Sequence, residues 1–174
     1  LVDDRQGGVW IHGRRDGKRI IGHGSLNSGQ YAFNTTPFNR FSHYRIYTIY
    51  PDVEGITWFG GPNGVVRYDP NTKKDFVYSY KALIRKVFIG NDSLIYGGGP
   101  LNDFTPVLAY NHNALRFEFA APSYDDASAI RYSYFLDGFD KGWSDWTTET
   151  KKDYTNLPDG KYQLMVKAID VYDN

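Results

Sequence analysis

Short stretches of alternating apolar and polar residues dominate the chain, and they predict β-strands. No window of about 11 residues sustains the i, i+3, i+4 apolar spacing of an amphipathic helix. The best short helix candidate spans residues 80–88, but Leu83-Ile84 and the apolar residues 87–89 suit a strand equally well. Because the other apolar runs lie between clusters of Gly, Pro, Asn and Asp, the pattern predicts an all-β protein.

The C-terminal part contains the clearest alternation. Residues 115–119 place Leu, Phe and Phe at every second position, and residues 132–136 do the same with Tyr, Tyr and Leu. A last strong strand covers residues 162–168, where Tyr, Leu, Val and Ala share one face. This pattern predicts an immunoglobulin-like β-sandwich, which has about seven strands in about 100 residues. Residues 105–174 provide about five or six strands, so we expect the last strand to be missing from this sequence.

The turn before the last predicted strand resembles a tyrosine corner. Leu157 and Pro158 open the turn, Gly160 follows, and Tyr162 begins the strand. Pro and Gly favour the dihedral angles of a tight turn. In immunoglobulin-like sandwiches, the hydroxyl of such a Tyr bonds to the backbone a few residues upstream.

An internal repeat with an offset of 48 residues occupies the N-terminal part. The repeated residues are Asp4, Gly7 and Trp10, which recur as Asp52, Gly55 and Trp58. A period of about 40–50 residues is typical of one blade of a β-propeller. We expect the Asp and Gly to form a turn, and both Trp side chains to lie in the core between neighbouring sheets. Two blades cannot close a propeller, so we interpret this chain as part of a longer protein.

The composition changes the picture in only a few respects. The 20 basic and 20 acidic residues give a net charge of zero, which argues against a dedicated nucleic-acid-binding protein. There is no Cys, so disulfides, thiolate metal sites and Cys nucleophiles are excluded. A break at Gly97-Gly98-Gly99-Pro100 divides the chain into residues 1–104, interpreted as propeller blades, and residues 105–174, interpreted as the sandwich.

Two sets of residues resemble known families. Residues 115–121, 131–143 and 154–162 resemble the triple-tyrosine (Y_Y_Y) domain, and residues 58–64 resemble the two-component regulator propeller repeat. The first repeat departs from the second, because His12 stands where the second has Gly60. The residues that carry the likeness are Trp10, Trp58, Gly60, Tyr132, Tyr134, Trp143, Leu157, Pro158, Gly160 and Tyr162.

The resemblance implies a role in signalling. Propeller repeats followed by a Y_Y_Y domain form the periplasmic sensor of hybrid two-component systems, whose kinase lies inside the cell. This chain would then be a non-catalytic, extracytoplasmic part of a membrane-anchored homodimer. It would bind an oligosaccharide and no nucleic acid, it would need no cofactor, and it would relay the signal by dimer rearrangement. An accessory or spacer module of a secreted carbohydrate-active enzyme is the alternative, and a propeller enzyme with its active site in other blades is a third hypothesis.

The residues themselves offer little catalytic or metal-binding chemistry. The four His residues lack the spacing of metal ligands, and His23-Gly24-Ser25 lacks the Gly-x-Ser-x-Gly elbow of a nucleophile. Most Asp residues lie in predicted turns, so we predict no catalytic residue and no metal ligand. The basic run at residues 14–19 is interpreted as a solvated hairpin tip.

Aromatic side chains are the remaining ligand-binding candidates. Residues 31–50 are rich in Tyr and Phe. Sugar rings stack on aromatic faces, so exposed members of this set can recognise a glycan, whereas the others would fill the space between blades. The ligand-binding candidates are Tyr31, Phe33, Phe38 and Tyr44.

Overall fold

The structure, a computed structural model, describes residues 1–90, 92–99 and 105–174 and confirms an all-β protein. Its strands are β1 Val2–Asp3, β2 Val9–Arg15, β3 Lys18–Asn27, β4 Gln30–Asn34, β5 Thr48–Pro51, β6 Thr57–Gly61, β7 Gly64–Tyr68, β8 Leu83–Ile89, β9 Ser93–Tyr96, β10 Leu115–Ala120, β11 Arg131–Asp137, β12 Lys151–Tyr154 and β13 Gln163–Ile169. Three short 3₁₀ turns, Thr36–Phe41, Tyr110–His112 and Ala127–Ala129, accompany them in the described ranges.

The strands form two compact units, Leu1–Tyr78 and Ser79–Asn174. The sequence placed the boundary between residues 104 and 105, and residues 100–104 lie outside the described part of the chain. The physical reason for the difference is strand pairing, because β8 pairs along β10 and β9 pairs along β8. Strands β8 and β9 therefore belong to the sheet of the C-terminal unit.

The N-terminal unit consists of two antiparallel sheets, with strand orders β1-β2-β3-β4 and β5-β6-β7. The basic run at residues 14–19 forms the β2–β3 hairpin, whose turn residues Asp16 and Gly17 both have positive φ angles. The second repeat contains the hairpin of β6 and β7. There Gly61 pairs with Gly64, so Pro62 and Asn63 form the turn.

Aromatic rings from both sheets form the core of the N-terminal unit. Trp10 lies in this core, as the repeat predicts, with its ring centroid 5.1 Å from that of Phe59. Phe38 and Phe41 come from the 3₁₀ turn and close the same cluster, which also contains Ile21. The edge-to-face arrangement of Trp10 on Phe59 is favourable for aromatic pairs.

Trp58 does not lie in this core, and the prediction for it is wrong. Its side chain is 37% exposed, whereas its neighbours Thr57 and Phe59 are buried. Because successive side chains of a strand point to opposite faces, β6 can bury either Phe59 or Trp58 against the first sheet, but not both. Phe59 takes the inner position.

The C-terminal unit is a sandwich of two sheets. One has the strand order β12-β10-β8-β9, and the other pairs β11 with β13. Their facing side chains form two core clusters, the first with Val87, Phe117 and Leu136 and the second around Phe119 and Tyr132. The alternation in β10 and β11 predicted these inward-facing residues correctly.

The tyrosine-corner hydrogen bond is present. The hydroxyl of Tyr162 donates to the carbonyl oxygen of Pro158, and Leu157 is buried in the first core cluster. Tyr132, another motif residue, accepts a hydrogen bond from the backbone N–H of Ala121 at 3.1 Å. These bonds connect the turns to the sandwich.

Trp143, another motif residue, lies outside the core, as does Trp146. Both side chains are partly exposed. The ammonium group of Lys167 lies 4.4 Å from the ring centroid of Trp143 and 5.1 Å from that of Trp146. Phe135 packs beside Trp143, which accounts for an apolar residue on the outer face of β11.

Candidate functional site

The first repeated turn connects β1 to β2 and is built around Asp4. Its Oδ1 accepts hydrogen bonds from the backbone N–H groups of Gln6 and Gly8, both at 2.7 Å. The backbone N–H of Asp4 donates to the carbonyl oxygen of Gly8, and Gly7 takes a φ of 90°. The Asp and Gly of the repeat therefore fix a tight turn, as the sequence predicts.

The second repeat folds in the same way around Asp52. Its Oδ1 accepts hydrogen bonds from the N–H groups of Glu54 and Ile56, and Gly55 takes a φ of 84°. The two turns differ in the use of the other carboxylate oxygen. In the second turn, Oδ2 accepts a hydrogen bond from Trp58 Nε1 at 3.2 Å.

In the first turn, the other carboxylate oxygen faces a histidine. Asp4 Oδ2 lies 2.7 Å from His23 Nε2, in a hydrogen bond that becomes an ion pair when the imidazole is protonated. The ring of His23 lies against the indole of Trp10, with 4.6 Å between the ring centroids. A Cβ atom at Gly8 would lie 2.3 Å from Asp4 Oδ2 and 2.7 Å from His23 Nε2, so this approach requires glycine.

A cavity of about 410 Å³ opens beside this pair at one end of the first sheet. Its size falls in the usual range for small-molecule sites. The residues that line it are Asp4, Gln6, Gly7, Gly8, His23, Ser25 and Leu26. This cavity is the candidate site of the N-terminal unit.

The cavity can form hydrogen bonds, but it lacks the arrangement of a serine hydrolase. Ser25 and His23 line the same space, and His23 is paired with Asp4. Nucleophilic catalysis also requires a hydrogen bond between the serine and the histidine. Among the described residues, Ser25 and His23 form no such bond. The carboxylate, amide, imidazole and hydroxyl groups are instead suited to hold the hydroxyl groups of a ligand.

The electrostatics of Asp4 follow from its hydrogen bonds. Burial alone would raise the pKa of Asp4, but the N–H groups of Gln6 and Gly8 and the side chain of His23 stabilise the carboxylate more strongly. The pKa of Asp4 is therefore below its ordinary value. A carboxyl group with a lowered pKa stabilises the folded state above its unfolded pKa, near pH 4, and this contribution is lost as the pH falls through the folded pKa.

We expect Asp4→Asn to reduce the acid sensitivity of the N-terminal unit. Asn keeps an oxygen that accepts the turn hydrogen bonds but removes the charge. The variant should be less stable than the wild type at about pH 7, and the difference should shrink as the pH falls below about 4. Thermal unfolding at several pH values measures this. Asp3→Asn, which changes an exposed neighbour, is the control, and equal pH profiles for Asp4→Asn and the wild type would contradict the assignment.

The structure separates the four aromatic candidates. Tyr31 is 69% exposed on β4, opposite Leu26 on β3, and Phe33 is partly exposed on the same face of that strand. Tyr44 is half-buried against the core. Phe38 is 1% exposed, so its assignment as a ligand-binding residue is corrected: its ring is enclosed by core aromatics.

Sequence reasoning missed the pairing of Asp4 with His23. Asp4 was interpreted only as a turn residue, and His23 has no second histidine at metal-ligand spacing. The two are 19 residues apart and meet because β3 returns beside the turn between β1 and β2. The only local signal for this pairing was the position of His23, which aligns with Trp10 across the β2–β3 hairpin.

Among residues 1–90, 92–99 and 105–174, no group of three or more His, Cys, Asp or Glu side chains can hold a metal ion. No helix in the same residues is long and apolar enough to cross a membrane.

Comparison with known proteins gives three findings. Residues 123–174 match the Y_Y_Y domain family. Histidine kinase P4 of Formosa agariphila is 29% identical over 120 residues, which cover 65% of this chain and 9% of that protein. The extracellular domain of the hybrid two-component system BT3049 of B. thetaiotaomicron has a similar fold, with a TM-score of 0.62 and 19% identity over 99% of this chain and 24% of that one.

The chain thus spans only a small part of each of these proteins. Its similarity to them covers sequence, through the histidine kinase and the Y_Y_Y match, and fold, through the extracellular domain. The chain is thus similar in sequence to a histidine kinase and to the Y_Y_Y family, and similar in fold to the extracellular domain of a hybrid two-component system, as its repeat and its tyrosine-rich strands predict.

Proposed function

We propose that this chain is a non-catalytic, ligand-sensing part of a two-component sensor histidine kinase, located in the periplasm. The observation that carries the proposal is the fold it shares with an extracellular domain of such a system over 99% of its length. The match of residues 123–174 to the Y_Y_Y family and the similarity to a histidine kinase support it. They favour this role over that of a module in a secreted carbohydrate-active enzyme.

The two sheets of the N-terminal unit serve as successive blades of a propeller in this proposal. Their turns at Asp4 and Asp52 have the same backbone hydrogen bonds to Oδ1, so Trp10 and Trp58 occupy equivalent positions. Trp10 faces the second sheet and meets Phe59, whereas Trp58 lies on the opposite face of that second sheet. Equivalent residues that face the same way around an array are typical of head-to-tail repeats. Trp58 would then meet a further blade.

An oligosaccharide is the proposed ligand, with the cavity beside Asp4 and His23 as its site. The cavity presents several groups that can hydrogen-bond sugar hydroxyls, and Leu26 extends from its rim. Tyr31 lies opposite Leu26 with most of its ring in solvent, which gives a sugar ring a surface to stack on. The polar groups of the cavity would orient the sugar, and Leu26 and Tyr31 would supply apolar contact beside them.

Signalling would follow from differential binding. A ligand that binds one arrangement of a homodimer more tightly than another shifts the population towards the first. In this proposal the parent protein is membrane-anchored, and the sandwich of the C-terminal unit transmits the change towards the membrane.

Ligand binding is tested with the 174-residue chain and a panel of neutral and acidic oligosaccharides. We expect at least one to raise the melting temperature and to bind in calorimetry, because a ligand of the native state stabilises it. Tyr31→Ala should weaken that binding about ten-fold. Tyr124→Ala, which removes another highly exposed tyrosine, should not. Binding that is equally weakened by both variants, or no binding by any oligosaccharide, would contradict the proposed site.

Location is tested on source cells with an antibody against this chain. We expect a membrane-bound band several times larger than 19.9 kDa that protease degrades in cells with a permeabilised outer membrane and an intact inner membrane. A soluble secreted band would support the module of a carbohydrate-active enzyme instead.

A further inference from the structure

The β2–β3 hairpin places like charges directly opposite one another. Arg14 pairs with Arg19, and Arg15 pairs with Lys18. Like charges at directly opposed positions of an antiparallel pair destabilise it. Four cations therefore share one hairpin end, and the arrangement weakens the fold that contains it.

Nothing within the described part of the chain neutralises these charges. Arg14, Arg15, Lys18 and Arg19 form no ion pair there. Arg19 donates a hydrogen bond to the backbone carbonyl oxygen of His43, a neutral acceptor, at 3.1 Å. The single acidic residue of the hairpin, Asp16, lies in its turn and pairs with none of them. The hairpin end thus keeps a strong positive potential.

The positive region continues onto the neighbouring segment of the N-terminal unit. Arg45 follows His43 by two residues, and its carbonyl oxygen lies 2.0 Å from the position of a Cβ atom at Gly61. Gly61 ends β6 just before its hairpin turn. Arg45 is exposed, and Tyr47 beside it has 69% of its side chain in solvent. Arg45 and Tyr47 therefore follow, by two and four residues, the His43 carbonyl group that Arg19 contacts.

A nearby histidine responds to the same potential. His12 is two residues before Arg14 in β2, so both lie on the same face of the hairpin. It pairs with Ile21 across the hairpin. Burial lowers the pKa of His12, and the charge of Arg19 lowers it further. The contribution of Arg19 shows that its positive charge acts on this neighbouring position of the hairpin.

We propose that the basic end, formed by Arg14, Arg15, Lys18, Arg19 and Arg45, binds the sulfate or carboxylate groups of an anionic polysaccharide. The inference rests on the proposed function and adds a second contact to it, because this basic end lies at the opposite end of β2 from the cavity beside Asp4 and His23. Guanidinium groups bind such oxyanions with paired, charge-assisted hydrogen bonds. An anion would also relieve the repulsion across the hairpin.

The same cluster suits a nucleic acid poorly. Proteins that bind duplex DNA make about 6–10 phosphate contacts along its backbone. Here the cations are confined to one hairpin end and the adjoining segment, and the turns at the other end of the sheets carry acidic residues. Those acidic residues are Asp3, Asp4, Asp52 and Glu54. Spaced anionic groups beside a sugar ring that packs on Tyr47 fit this surface better.

The test compares the wild-type chain with the double variant Arg14→Gln/Lys18→Gln, which removes one cation from each opposed pair. The probes are dextran sulfate, polygalacturonate, neutral dextran and a DNA duplex of about 30 base pairs. The matched control is Lys73→Gln/Lys74→Gln, which removes two cations outside the hairpin. Binding is measured by calorimetry at two salt concentrations, and stability by thermal unfolding without ligand.

We expect the wild type to bind at least one anionic polysaccharide more tightly than dextran and DNA, and more weakly at high salt. The hairpin variant should lose about ten-fold or more in affinity, and the control less than about two-fold. Without ligand, the hairpin variant should melt no lower than the wild type, because the like-charge pairs are gone. A loss of affinity that reflected misfolding would instead lower the melting temperature and overturn the assignment.

Three other outcomes would overturn the inference. One is equal loss of affinity in the hairpin variant and the control, which would show an effect of net charge alone. Another is tighter binding of the DNA duplex than of either anionic polysaccharide. The third is binding of a neutral oligosaccharide that the hairpin variant leaves unchanged, together with no binding of the anionic probes. In that third case the proposed sensing function would stand, and only the binding of anionic groups at the basic end would be wrong.

Discussion

Phe59→Ala is expected to unfold the N-terminal unit at temperatures where the wild type remains folded. The Phe59 side chain is fully buried, and its ring contacts aromatic rings from the first sheet and from the 3₁₀ turn. Truncating a buried Phe removes its transfer free energy and leaves a cavity, with a cost of about 3–5 kcal/mol. For a unit of this size we expect the melting temperature to fall by more than about 12 °C.

The adjacent residue provides the control. Trp58 is larger than Phe59 but lies on the exposed face, where it has one hydrogen bond to Asp52 and a cation–π contact with Arg67. Trp58→Ala should cost less than Phe59→Ala, about 1–2 kcal/mol, because the indole is 37% exposed and its removal leaves no enclosed cavity. Native-state hydrogen exchange in the N-terminal unit measures both effects separately from the C-terminal unit. A larger loss from Trp58→Ala than from Phe59→Ala would show that the two faces of β6 have been exchanged.

This pair shows what the repeat could and could not predict. The spacing of Asp, Gly and Trp identified two equivalent turns and two equivalent strands, and both are present. It could not predict burial, because equivalent residues of a head-to-tail repeat have different neighbours. Trp10 has the second sheet against it, and Trp58 has no such sheet within the N-terminal unit.

The unit boundary was hard to predict for a related reason. The alternation within residues 83–89 identifies a strand, but it contains no information about the partner of that strand. Only the three-dimensional structure pairs Val87 with Phe117 and brings β8 into the C-terminal sheet. Long-range pairing also explains the candidate site, since Asp4 and His23 come from separate segments that the β2–β3 hairpin brings together.

The C-terminal unit was predicted more completely, because its motifs are local. The tyrosine corner spans five residues, and the alternation of β10, β11 and β13 separates inner from outer side chains. The role of Asp140 was not predicted. It was interpreted as one of several turn carboxylates, whereas it joins the end of β11 to Tyr154 on β12.

Asp140→Ala is therefore expected to be the most damaging single change in the C-terminal unit outside its apolar core. Asp140 Oδ2 accepts hydrogen bonds from the N–H of Leu136 at 2.8 Å and from the hydroxyl of Tyr154 at 2.7 Å. Tyr154 is buried, so its hydroxyl cannot turn to water once the carboxylate is gone. Each donor left without a partner costs about 1–3 kcal/mol, and together they should cost about 2–5 kcal/mol.

Three comparisons isolate this effect. Asp137→Ala removes an exposed carboxylate three residues earlier and should cost about 0.5 kcal/mol. Tyr154→Phe should cost about 1 kcal/mol, because it removes the hydroxyl donor and leaves no other donor without a partner. The double variant Asp140→Ala/Tyr154→Phe should be more stable than Asp140→Ala alone, which a double-mutant cycle in denaturant measures.

Tyrosine titration gives a second and independent measurement. Burial raises the pKa of Tyr154, and the hydrogen bond to Asp140 and the negative charge of that carboxylate raise it further. Asp140→Asn keeps an oxygen that can accept both hydrogen bonds but removes the charge. We expect the pKa of Tyr154 to fall in this variant while the fold is retained, because only the burial and the neutral hydrogen bond then oppose ionisation. An unchanged titration of Tyr154, followed by ultraviolet absorbance against a Tyr154→Phe reference, would show that the carboxylate does not act on this hydroxyl.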